Sequence, residues 1–432
     1  MHIYKSFTKY TTLNILAMIG MSCYILADTF FISRSAGTKG VAALNLILPV
    51  YNLIFAIGSM LATGAATHFT ICRAKGLSHF EEYFSNAVLW AIFFSLFFVF
   101  AGIVCPHKII QLLGGNGEII EIGTTYTRIF MIFAPAFMLN FIWTAFTRND
   151  NSPSLAMAAT LISNFSNIVL DYIFMFPLHM GMSGAALATG ISPLISISIC
   201  SLHFLSKENQ IHFHFRLPSF KRLWEMCSLG VSGFVGELSS GVTTTVFNFI
   251  MLKLMGNVGV AAYGVIANFA IVATSVFNGL AQGSQPLLSR FYGEGNQTAV
   301  KKVLKLALIT GFCISVLLLS TVFLFTDSLV SIFNSEHSSK LAEYSYIGMR
   351  LYFPGFLIAG LNIVGIGFLS ATEQAAPAMT AALLRGVFAI TGFAFLLSFL
   401  FGIKGAWLAF PASELITGIV TGTALFKNQK NL

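Results

Sequence analysis

Three polar residues, Asn164, Asn167 and Asp171, interrupt the otherwise apolar stretch LISNFSNIVLDYIFMF (Leu161 to Phe176) at spacings of three and four. On a helix those offsets share one face. Amides and a carboxylate in such a run can hold a neighbouring helix by hydrogen bonds, or they can bind a cation or proton that the run itself excludes. A charge stranded in hydrocarbon costs at least about 2.5 kcal/mol, more than an amide does, and this favours ion binding over helix-packing glue. Asp28, Tyr126 and Thr189 are further polar groups within other apolar runs. At 1.5 Å per helical residue, Asp28, Tyr126 and Asp171 lie roughly 7–9 Å below one surface and Thr189 about 12 Å. Taken singly, Tyr126 suits an interfacial anchor and Thr189 a hydroxyl bonded to its own backbone. Taken together, four groups on four spans at similar depth can converge.

The elements that must position them are membrane helices. Of 432 residues 56% are hydrophobic and 9% charged, with 44 Phe and 15 Met, which no soluble domain requires. The expected fold is all-α and integral to the membrane. Apolar runs place twelve spans near Leu13–Ile32, 43–70, 84–105, 122–145, 155–177, 183–205, 228–252, 260–288, 303–326, 343–370, 378–401 and 404–426. The first is too long for a signal-peptide core and lacks a clear cleavage site, so it reads as an uncleaved span. The six cysteines lie far apart, with no CxxC pair, and read as free thiols. A net charge of +8 raises nucleic acid or anionic lipid as partners, but Lys and Arg sit in short loops, which topology explains better. With the amino terminus in the cytoplasm, fifteen of the 24 Lys and Arg fall inside, Arg216 and Lys430 among them, and six outside. That bias predicts both termini in the cytoplasm. The longest polar connector, Ser206 to Arg222, contains His212 and His214 without acidic or Cys partners, so a solvated cytoplasmic loop is expected there rather than a metal site.

The halves repeat. Sliding Ala36–Gly76 by 219 lays it on Met255–Gly295 without a gap, matching among others Gly37 with Gly256, Gly40 with Gly259, Gly64 with Gly283 and Gly76 with Gly295. The same shift pairs Pro135 with Pro354, and a shift of 221 lays GMSGAALA (from Gly181) over GIKGAWLA (from Gly402). Six spans per copy is an even number, so these are two parallel six-helix repeats, expected around a central cavity. The domains follow: an amino-terminal lobe at 1–205, a cytoplasmic linker at 206–222 and a carboxyl-terminal lobe at 223–432. Under these shifts Asp28 falls on Phe247, Asn167 on Phe388, Asp171 on Gly392 and Thr189 on Phe410. A scaffold role would be expected in both copies, whereas this polar set is confined to one.

ADTFFISRSAGTKGVAAL at span one, NIVLDYIF in span five, GMSGAALAT entering span six, and GVAAYGVIANF with GLAQGSQPLLSRFYGEGN in span eight resemble the multidrug and toxic compound extrusion (MATE) transporters of the prokaryotic kind, over the whole chain. The resemblance implies a cation or proton site at Asp28, Tyr126, Asn167, Asp171 and Thr189, with Asp28, Asn167 and Asp171 as ligands should the ion be Na+. Some members also use acids in the carboxyl half; Glu237 in span seven is retained here, but the core of span ten has no acid. The implied function is export of amphipathic or cationic compounds by antiport with H+ or Na+. The implied protein is a monomer in the cell membrane, with no cofactor beyond the coupling ion and no nucleic-acid partner. No GxxxxGK[ST] occurs, so ATP is not the direct energy source. Glu237 is expected to face the cavity and bind cationic substrates, and Glu414 in span twelve to hydrogen-bond a neighbouring helix. The alternative of the same fold is a flippase for a lipid-linked sugar, which needs several cations for pyrophosphate; Arg128, Arg350 and Arg385 are the candidates. An intramembrane enzyme is disfavoured by the lack of HExxH or DDxxD, and a channel by acids placed in one half rather than in a ring.

Overall fold

The computed structural model describes residues 2–115, 117–215, 217–333 and 338–431. Arg216, one of the expected inner cations, lies outside the described residues, as does the side chain of Lys430. The described residues contain no strand and form helices joined by turns and irregular segments: α1 (His2–Ala74), α2 (Glu82–Val104), α3 (Pro106–Leu112), α4 (Glu118–Ile132), α5 (Ala134–Asn149), α6 (Pro153–Met175), α7 (Gly181–Ser201), α8 (Phe220–Gly293), α9 (Gln297–Phe333), α10 (Ser339–Tyr352), α11 (Phe356–Ala371), α12 (Ala375–Leu383) and α13 (Ala389–Asn431). Nine described helical segments are long and apolar enough to cross a membrane, and α4 with α5, bent by 45°, make a tenth crossing. Two of the nine, 220–293 and 375–428, are long enough for two crossings each and break at Gly256 and Gly402, which brings the total to twelve.

The glycines matched by the repeat share one backbone conformation. Gly37 (φ 62°, ψ −157°) and Gly256 (φ 66°, ψ −152°) break α1 and α8 in a region of backbone space open to glycine almost alone. Gly76 and Gly295 both have φ of 70°, and Gly181 and Gly402 have φ of 53° and 59°. The paired prolines also behave alike. Pro135 opens α5 directly after the bend at Phe133, and Pro354 sits in a short 3-10 turn between α10 and α11. Span four, read from the sequence as one continuous run, is bent there by 45°, because proline lacks an N–H and cannot continue the helical ladder, whereas span ten stays one run through its 3-10 turn, as read.

Two compact units result, Leu16–Glu237 and Met1–Ile15 with Leu238–Leu432. The amino unit is cored by Phe69, Phe84, Phe130 and Phe146, with Tyr51 stacked on Phe130 at 3.8 Å between ring centroids. Helices close where side chains vanish: a Cβ on Gly64 would stand 1.8 Å from the Met226 carbonyl oxygen, and one on Gly230 1.9 Å from that of Met60. The carboxyl unit is cored by Phe277, Tyr352, Phe356, Trp407 and Phe410, with Tyr352 and Phe410 stacked at 4.3 Å. A second cluster in that unit buries Phe7 among Leu287, Val300, Leu304 and Phe368. Phe93, Phe97 and Phe100 on α2 and Phe399 and Phe401 on α13 stay exposed, as lipid-facing side chains do.

The connector after α7 is largely exposed, as expected of a solvated loop, but it is tethered to the amino unit. Three of its backbone N–H groups are held by side chains there: Gln210 N donates to Asp150 Oδ2 (2.8 Å), His214 N to Ser85 Oγ (2.8 Å) and Ser219 N to Asn86 Oδ1 (2.8 Å). Ile211 is buried in the aromatic core of the unit, and His214 Nε2 lies 2.8 Å from Glu81 Oε2. Asp150, fully buried, also pairs with Arg73 and with His203 Nε2 at 2.8 Å. Arg222 then bridges Glu82 (3.0 Å) and Glu225 (2.9 Å).

Candidate functional site

Four helices of the amino unit contribute to one polar cluster. The first half of α1 presents Asp28, and Tyr24 one turn before it on the same face. Helix α4 presents Tyr126, α6 presents Asn167 and Asp171, also one turn apart, and α7 presents Thr189 and Ser192. Gly20 lets α1 approach α6: a Cβ there would lie 2.5 Å from Leu161 Cδ2 and 3.7 Å from Asn164 Nδ2. Asn164, the outer member of the sequence stripe, thus lies against α1, while Asn167 and Asp171 turn toward α7.

With its amide oriented by its neighbours, Asn167 Nδ2 donates to Asp171 Oδ2 (3.0 Å), and its oxygen accepts from Thr189 N (3.3 Å) and lies 3.2 Å from Ser192 Oγ. The Tyr126 hydroxyl lies within electrostatic reach of both Asp28 and Asp171, with Tyr51 and Thr189 beside it. Asp28 and Asp171 also interact with each other. All five residues expected from the sequence are buried: Asp28 at 7% exposure, Thr189 at 3%, Asn167 at 1%, Tyr126 and Asp171 at 0%. Buried oxygens are nearly always hydrogen-bonded. Yet Asp28 Oδ1, Asp171 Oδ1, Tyr126 Oη and Thr189 Oγ1 have no hydrogen bond of normal geometry among the described residues. Two carboxylates and two hydroxyls so placed form an oxygen-rich pocket that lowers its electrostatic cost by taking up a proton or a hard cation.

Three neighbours were missing from the sequence reading. Tyr24 lies within electrostatic reach of Asp28, Asp171 and Glu237, and its spacing of four from Asp28 was a usable signal. Ser192, three residues after Thr189, carried a similar one. Tyr51 has no polar residue one turn away on its own helix face, and its stacking on Phe130 and its approach to Tyr126 place it. Glu237 is half-buried on α8 and belongs to the amino unit. Glu414, 1% exposed in the carboxyl unit, accepts from Asn362 Nδ2 at 2.7 Å, the inter-helix bond expected of it. Among the described residues no three His, Cys, Asp or Glu are grouped as a metal site.

Comparison with known proteins bears on this arrangement. A family model, MatE, matches residues 14–173 and 235–394, two stretches separated by the same 221 residues as the repeat. The multidrug export protein MepA of Staphylococcus aureus (strain MRSA252) is 25% identical over 417 residues, covering 96% of this chain and 91% of MepA. The outward-facing conformation of a multidrug resistance MATE family transporter of the MOP superfamily superposes with a TM-score of 0.89 at 20% identity, over 100% of this chain and 97% of that one. A MATE in complex with MaL6 does so with a TM-score of 0.92 at 19% identity, over 100% and 98%. At these identities the solved structures speak for the fold.

Proposed function

The chain belongs to the MatE family, the multidrug and toxic compound extrusion transporters, and from that premise we propose that it exports amphipathic or cationic compounds in exchange for inward-moving H+ or Na+. The coupling site is the cluster of Asp28, Tyr126, Asn167, Asp171 and Thr189. One observation carries this reading: four buried oxygens on four helices of one unit, two of them from carboxylates, have no hydrogen bond of normal geometry among the described residues. A group kept only for packing would be expected to have its bonds satisfied. The name of the MepA relative supports multidrug export.

Coupling requires that the ion bind the outward-open and inward-open states unequally. Helices α1 and α6 carry the two carboxylates, so an ion held between them links the positions of those helices, and its release removes the link. One positive charge moving inward down 100 mV releases about 2.3 kcal/mol, enough to sustain a roughly fortyfold substrate gradient. The flippase alternative loses its cations: Arg385 is paired with Glu414, and Arg128 and Arg350 are exposed.

The test is ethidium efflux from proteoliposomes under an imposed Na+ gradient, and separately under a pH gradient. Uphill efflux driven by one of them is expected. Efflux indifferent to both, or none by well-reconstituted protein, overturns the proposal.

A further inference from the structure

The carboxyl unit has a buried polar cluster of its own, and there the carboxylate is paired with a cation of the chain. Arg385 Nε stands 2.8 Å from Glu414 Oε1, and Asn362 Nδ2 donates to Glu414 Oε2 (2.7 Å) and to the Glu414 carbonyl oxygen (2.9 Å). Three helical segments meet there. Asn362 is on α11, Glu414 is on the second half of α13, and Arg385 is in the widened turn Leu384–Phe388 that joins α12 to α13. Such π-type turns are uncommon and concentrate at functional positions. The Glu414 side chain is 1% exposed and that of Arg385 18%. Tyr352 lies within electrostatic reach of both.

The repeat relates this cluster to the amino one. A shift of 221 carries Asn164 onto Arg385, and Pro193, next to Ser192, onto Glu414. The polar stripe of span five thus has a cation at its first position in span eleven and apolar residues or glycine at the next two, Phe388 and Gly392. The carboxylate has moved from span five to span twelve. Stability does not require such a pair, because well-packed apolar residues commonly replace a buried salt bridge at no cost.

Resting on the functional reading above, we propose that Glu414 with Asn362 is the carboxyl unit's cation pocket and that Arg385 fills it permanently, so ions couple to transport through the amino unit alone. A tethered guanidinium acts at an effective concentration that free cations cannot match. Each Glu414 oxygen already faces a protein cation or donor, and the fixed guanidinium charge opposes the entry of a second cation. Arg385 thereby sets the number of ions carried per cycle.

The test uses purified full-length protein carrying Asp28→Asn and Asp171→Asn, which removes both carboxylates of the amino cluster from the readout. To it are added Arg385→Gln, or Arg385→Gln with Glu414→Gln. Melting temperature is followed as NaCl or methylguanidinium chloride replaces N-methylglucamine chloride at constant ionic strength. Arg385→Gln is expected to gain at least about 2 °C from one of the two cations, because a ligand bound only by the folded state raises Tm. The double variant should gain none. Where Arg385→Gln does not accumulate, Glu414→Asp replaces it: both charges remain, the carboxylate draws back by one methylene, and a smaller gain of the same kind is expected. Equal melting temperatures in all three salts, for whichever variant is measured, overturn the proposal. In proteoliposomes, with Asp28 and Asp171 intact, Arg385→Gln should also carry one more cation per substrate than the parent. These melting curves are independent of transport, so loss of ion coupling in the parent sinks the functional reading without deciding this one.

Discussion

One Asp171 oxygen accepts from Asn167 while the other has no hydrogen bond of normal geometry among the described residues, and this asymmetry separates structure from coupling at a single side chain. Asp171→Asn keeps the shape and the contact but removes the charge. A purely structural carboxylate tolerates that change well. A coupling carboxylate does not, so Asp171→Asn should reach the membrane in normal amount and lose at least tenfold of its uphill ethidium efflux, and Asp28→Asn should do the same. On the proposal that the two groups share one ion, the double variant should be no worse than either single one; well-expressed Asp171→Asn with normal uphill efflux would return the stripe to helix packing. Asn167→Ala removes a hydrogen bond to a charged group, worth about 1.5–3 kcal/mol, and should weaken the apparent affinity for the coupling ion by roughly 10- to 100-fold, read from the ion dependence of efflux. Glu237→Gln should impair export of cationic substrates and spare neutral ones, which parallel efflux assays of the two classes decide. The site was legible from the sequence wherever polar groups broke apolar runs at helical spacing, as Asn167 and Asp171 do. Tyr51 was not, because its role comes from a neighbour 79 residues away, Phe130.

At the scale of the element, most spans were visible as apolar runs, but their breaks were not. Gly37 and Gly256 pair in the sequence, and only the backbone shows that both adopt a conformation costing other residues about 1–3 kcal/mol. Gly37→Ala and Gly256→Ala should therefore each lower the melting temperature of the solubilised protein. Gly236→Ala is the control: it has regular backbone, and a Cβ there meets nothing within 4 Å. The exposure of the 206–222 connector was legible but its tethers were not, because its partners, Ser85, Asn86 and Asp150, lie 60 to 133 residues away and no local pattern announces them. Asp150→Ala leaves Arg73 and the buried His203 without their carboxylate. Breaking a buried pair from one side costs about 3–5 kcal/mol. The variant should melt lower and be cleaved faster by protease between residues 206 and 219, and an unchanged cleavage rate would show that the connector is held by other means.

For the whole molecule, the Lys and Arg bias places both termini and the connector in the cytoplasm, as we propose. In a cysteine-free background, Gln210→Cys should resist an impermeant thiol reagent added to intact cells and react after permeabilisation; labelling in intact cells would invert the topology. The duplication was readable because glycines and prolines, whose backbone roles tolerate few substitutes, kept their spacing. The division of the chain was harder to read, since residues 1–15 group with the carboxyl unit. Phe7 is buried among Leu287, Val300 and Phe368, yet it leaves the ribosome long before they do. At the usual pace of synthesis the interval is on the order of tens of seconds. Through that time the start of the first helix must wait in the membrane or at its surface with its apolar face uncovered. Completion of the carboxyl unit is thus tied to residues made long before it, and a nascent chain that stalls before α9 leaves Phe7 without its cover.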